Sequence, residues 1–108
     1  MEQLNKMSQQ DKIQSRSVVL SDEEQDNLAE IVNICYNNFT DRLWKKFPTL
    51  TKVDISLCCL IKIGISNSNM LYLLDTSKVA LKKRKNRLKH DKMGMDENDS
   101  LDEFIMEF

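Results

Sequence analysis

Residues 51–92 read TKVDISLCCLIKIGISNSNMLYLLDTSKVALKKRKNRLKHDK. This stretch holds three helical segments and the punctuation between them. Thr51 and Asp54 stand three positions apart, the spacing of a capping pair in which each side chain satisfies a backbone amide at the other. Ile55, Cys58, Cys59, Leu60 and Ile61 then make a helix apolar on most sides, which predicts the most buried element of the domain. Gly64 stands where a residue in left-handed backbone ends such a helix. Ile65 and Ser66-Asn67 lead into a short helix over about 67–74 carrying Met70, Leu71, Leu73 and Leu74. Asp75-Thr76-Ser77 is a tight turn whose last residue can cap the next helix, about 78–92. That helix has few apolar residues: Val79 or Ala80, Leu81, Leu88 and, just beyond, Met93.

The flanks extend the same reading. Upstream, Ser21-Asp22-Glu23-Glu24 is a capping box, with acidic residues crowding the turn where the helix dipole favours them. From it, Leu28, Ile31, Val32, Cys35, Phe39, Leu43 and Phe47 recur every three or four residues. This predicts one long helix from Ser21 to Phe47, closed by Lys45 and Lys46 and stopped by Pro48. Downstream, Asp96 to Ser100 is a polar break. Ser100 caps a last short helix whose Leu101, Phe104, Ile105 and Phe108 form an apolar stripe. Residues 1–20 are polar with scattered Leu4, Met7 and Ile13, and read as a linker or a frayed helix. The expected architecture is therefore all-α, one domain over 21–108 with its core in 50–93. It consists of a long N-terminal helix, a helix-turn-helix core and a short C-terminal helix.

Two glycines and one proline in 108 residues are too few turn-formers for an all-β fold. Three cysteines make no disulfide framework, and the adjacent pair Cys58-Cys59 reads as core residues; a reducing cytoplasm is the expected compartment. The longest apolar run, Leu57 to Ile61, falls far short of a membrane span, and MEQLNKMSQQ lacks the apolar core of a signal peptide. No nucleotide loop, catalytic dyad or metal-ligand cluster stands out. Neither an enzyme nor a cofactor is expected, and His90, the single histidine, reads as a surface residue.

Charge is the informative property. The net charge of −1 conceals a polarised chain: residues 1–77 carry net −2, residues 78–92 net +7, and residues 93–108 net −6 with no basic group. Two helices joined by a tight turn, the second rich in Lys and Arg, is how a helix-turn-helix lays a rod in the DNA major groove. Phosphate neutralisation requires that rod's exposed face to be basic.

The run from Leu50 to Lys89 resembles the LuxR/GerE-type helix-turn-helix. The resemblance is carried by Leu50-Thr51, Asp54, Leu57 to Ile61, Gly64-Ile65-Ser66-Asn67, Met70 to Leu74, Ser77, and Leu81 to Leu88. A looser likeness, through Phe39, Arg42-Leu43, Phe47 to Thr51, Cys58-Cys59-Leu60 and Leu101 to Ile105, is to the C-terminal domain of Bacteroidetes regulators that carry tetratricopeptide repeats. This sequence departs from the pattern at Ser68-Asn69, at Ala80-Leu81 and Arg84, and in having one more residue before Met93. The resemblance implies double-stranded DNA as partner, with Lys82, Lys83 and Asn86 in the groove and Ser77 or Lys78 at a phosphate. Arg87 and Lys89 would make flanking backbone contacts. It also implies an output module belonging to or derived from a larger transcriptional regulator, with homodimers formed through the first or last helix. The helical wheel agrees in part: 78, 82 and 86 share a row, 83 and 87 the next, beside the buried row 81, 85 and 88, where Lys85 would snorkel.

Two alternatives stay open on sequence alone. The same fold could serve as a protein-interaction module that binds no DNA. The acidic tail could simply dock its apolar stripe with its charges in water, or it could compete with DNA for the basic helix.

Overall fold

Three of the helix starts are written in the chain as caps, and they form as written. The Ser21 hydroxyl accepts from the Glu24 amide at 3.1 Å while Glu24 accepts from the Ser21 amide at 2.9 Å. Thr51 and Asp54 make the same reciprocal pair, and the Ser100 hydroxyl accepts from the Glu103 amide. The computed structural model describes residues 19–108, and these form six α-helices with no strand among the described residues. They are α1 (Asp22–Cys35), α2 (Phe39–Lys46), α3 (Lys52–Lys62), α4 (Asn67–Leu73), α5 (Lys78–Arg87) and α6 (Leu101–Glu107), with a π-helical turn, Leu88–Lys92, continuing α5. The expected linker over 1–20 lies outside the described residues except at its end. There Leu20 is half-buried and donates its amide to the Leu73 carbonyl at 2.9 Å.

The single long helix expected over 21–47 is two helices. Asn37 and Asn38 take left-handed backbone, with φ of 56° and 57°, a conformation asparagine tolerates better than other residues with a Cβ. The break is held on both sides. The Asn33 side chain accepts from the Thr40 amide at 2.7 Å, and the Arg42 guanidinium donates to the Tyr36 and Asn37 carbonyls. The apolar stripe therefore does not run down one face. Val32, Phe39 and Leu43 are buried, whereas Ile31 and Ile34 are 58% and 79% exposed and Cys35 is exposed. Among the described residues the longest element is α1, at 14 residues.

α3 is the hub, as its all-round apolar pattern predicts. Every residue from Asp54 to Ile61 is buried, and α1, α2 and α6 pack against it. Gly64, at φ +85°, lets the Ile65 amide return to the Leu60 carbonyl at 3.0 Å, closing α3. α6 docks through Leu101 and Ile105, both buried, while Phe104 and Phe108 stack edge-on against Phe47 and Phe39. The Trp44 indole donates to the Leu50 carbonyl at 2.8 Å and so fixes the turn between α2 and α3.

Candidate nucleic-acid interface

α4 and α5 are short helices joined by a four-residue turn, and both are positioned by hydroxyl caps. Ser66 accepts from the Asn69 amide and Ser77 from the Ala80 amide. The turn bends because Asp75 takes φ 51° and the Thr76 amide reaches back to the Leu71 carbonyl at 2.9 Å. Met70 of α4 and Leu81 of α5 are buried in the common core.

α5 is held to the domain by little of its own surface. Leu81 is its one buried residue, and the next anchor is Leu88, two turns on. Val79 and Ala80, one of which the apolar pattern would place inside, are both exposed, Val79 at 64%. They precede Leu81 on the first turn of α5, which buries no other residue. Lys85 fills the row between Leu81 and Leu88 as a snorkelling residue would. Its side chain is only 16% exposed, and its ammonium lies 3.1 Å from Asn67 Oδ1 and 2.9 Å from Asp102 Oδ1.

Beyond Arg87 the helix widens. The Met93 amide bonds to the Leu88 carbonyl at 3.0 Å, five residues back, so the π turn carries one residue more than an α turn would. Leu88 and Met93 thereby both face the core, and Lys92 reaches the Asp54 carboxylate at the start of α3. Burial alone would push the Asp54 carboxyl up. The Lys92 ammonium and the Thr51 amide and hydroxyl outweigh it and hold it below the usual carboxylate value. The tail end of the basic helix is thus bolted to the hub helix.

The remaining cations of α5 face outward. Ser77, Lys78, Lys82, Lys83, Asn86 and Arg87 are all exposed, and Lys89 is half-exposed. They divide between two faces. Lys78, Lys82, Asn86 and Lys89 line a groove of about 480 Å³, closed on the far side by Asn67 and Leu71 of α4 and by Asp99 to Asp102. Lys83 and Arg87 do not line it. Ser77 caps α5 with its hydroxyl and does not line the groove. Of the basic residues in the groove, sequence reasoning left one out of the site: Lys85 lines it too. The signal was present, because 78, 82, 85 and 89 are spaced four, three and four apart, the stripe of one helical face.

No family model, curated protein or solved structure matches the chain. Among the described residues no group of His, Cys, Asp and Glu is arranged to hold a metal, and no helix is long and apolar enough to cross a membrane. What distinguishes this surface is therefore its chemistry alone: an exposed helix of ten residues with three basic groups in its last turn, next to an acidic segment.

Proposed function

We propose that this chain is a DNA-binding module in which α4, the turn and α5 act as a helix-turn-helix, with α5 entering the major groove. The observation that carries this reading is the exposure of α5. A helix bearing six Lys and Arg residues between 78 and 87 buries only Leu81, leaving Lys78, Lys82, Lys83, Asn86 and Arg87 exposed to a partner. A duplex presents phosphates on both sides of its major groove, so a basic rod with cations on two faces suits it better than a rod charged on one. Lys82, Lys83 and Asn86 on the exposed middle of α5 would meet base edges. The capped N-terminus at Ser77 and Lys78 would meet a phosphate, and Arg87 and Lys89 would make flanking backbone contacts.

The resemblance to LuxR/GerE domains supports the same reading, and with it a cytoplasmic output module within a larger transcriptional regulator that contacts DNA as a homodimer. The exposed Ile31 and Ile34 on α1 are the apolar residues best placed to join two copies. Exposed Tyr72 and Val79, each at 64%, favour one rival: the same elements used to bind a protein.

Binding of labelled mixed-sequence duplexes at low salt, by wild type and by Lys82→Ala/Lys83→Ala, separates the two. The DNA reading expects binding by wild type and a loss of at least about tenfold in the variant, as removal of two phosphate or base contacts implies. A folded wild type that binds no duplex at low salt favours the protein-interaction rival.

A further inference from the structure

The segment that follows the basic helix folds back onto it. Asp99, Ser100 and Asp102 form one wall of the groove whose other wall is the Lys78, Lys82, Lys85 and Lys89 face of α5. Two of these lysines are already engaged: Lys85 pairs with the Asp102 carboxylate at 2.9 Å, and Lys89 donates to the Glu97 carbonyl at 2.7 Å. Asp99 and Asp102 line the face that carries four lysines, and Asp96 and Glu97 lie just before them in the same acidic segment. An acidic segment tethered beside a basic helix, with one carboxylate and one carbonyl on its lysines, stands where a phosphate backbone would run.

We infer that residues 96–102 are an autoinhibitory strap that competes with DNA for the groove face of α5. The inference rests on the DNA-binding reading and deepens it by adding a built-in brake. The strap is tied to α5 through only a few residues after the π turn, so it meets the lysines at a high effective concentration without a bimolecular step. It is also built to leave. Residues 96–100 are exposed, and the segment's own order comes from a small turn in which the Asp96 amide donates to Asp99 Oδ2 and the Asp99 amide to the Asp96 carbonyl. α6 keeps its place through Leu101 and Ile105, so release needs only a swing of residues 96–100 and rotation of Lys85 away from Asp102 and of Lys89 away from Glu97. Partly exposed pairs of this kind are individually weak, so the strap lowers affinity without abolishing binding.

The test compares three full-length proteins on one random-sequence duplex across a salt series. The first is wild type and the second Asp96→Asn/Glu97→Gln/Asp99→Asn/Asp102→Asn. The third, a control of equal charge change on α1 and α2, is Asp22→Asn/Glu23→Gln/Glu30→Gln/Asp41→Asn. The strap variant is expected to bind about tenfold more tightly than wild type at low salt, with a salt slope steeper by about one, as release of Lys85 from Asp102 implies. The control should gain markedly less. Asp102→Asn alone, which preserves shape, should move affinity the same way by a smaller factor. Equal affinities for the strap variant and the control overturn the strap and leave DNA binding standing. No binding by any of the three, with native circular dichroism, overturns both.

Discussion

Asp54 shows how one side chain serves two jobs. It caps α3 through the Thr51 amide and receives Lys92 from the π turn, at 2% exposure. Its folded pKa lies below the ordinary 3.8. Its contribution to stability is therefore complete above that value and is lost as pH falls through the lower, folded value. Asp54→Asn should be less stable than wild type at neutral pH, by about 1–3 kcal/mol for a buried charged hydrogen bond. Lys92 can then turn outward, so the loss stays within that range. Urea unfolding across pH should show the gap closing below about pH 4; a gap independent of pH would contradict this account. The thiols give a second residue-scale expectation. Burial, with Cys59 and Asp54 nearby, pushes the Cys58 thiol up, and burial pushes Cys59 up to about 12. Cys35 is exposed. A thiol reagent should label one cysteine in the native protein and all three after unfolding; rapid labelling of Cys58 or Cys59 in the native state would show the hub helix to be open.

At the scale of elements, the break at Asn37-Asn38 is the point to probe. Asn38→Gly should hold or raise stability, because glycine takes left-handed backbone without a Cβ penalty, whereas Asn38→Val should lose about 1–2 kcal/mol. Equal effects in denaturant titrations would mean the backbone there does not hold the break. The same site explains where sequence reading stopped. α3, α4, α5 and α6 were legible because caps and stop signals are local: Thr51, Ser66, Ser77, Ser100 and Gly64 each act within four residues of themselves. The division of α1 from α2 was not, because the apolar spacing stays in phase across it. What breaks the helix is a bond from Asn33 to Thr40 and a guanidinium, Arg42, that also donates to the Phe108 carbonyl, 66 residues away. The π turn was half legible as one surplus residue before Met93; which way the surplus is absorbed depends on Asp54 and the core, which no local pattern encodes. At the candidate site the exposed cations of α5 were legible from composition. Their split into a groove face with Lys85 and an outer face with Lys83 and Arg87 required knowing where 96–102 lies.

For the whole molecule, α1, α2 and α6 of the described residues all pack around α3. α6 buries Leu101 and Ile105 and lends Phe104 and Phe108 to the rings of α2. Cutting after Ser100 removes these. At about 1.5–3 kcal/mol per fully buried side chain, the loss rivals the whole stability of an ordinary domain. The truncated chain should fail to melt cooperatively; a melting temperature equal to the parent's would make α6 an appendage. The central claim is that the basic helix is an electrostatic contact for DNA, and the salt dependence of binding by wild type reads it most directly. If α5 neutralises about four to six phosphates per monomer, log K against log salt should fall with a slope near −4 to −5, and Lys78→Ala or Arg87→Ala should each reduce that slope by about one. A flat salt dependence, or a slope that neither substitution changes, would contradict the account.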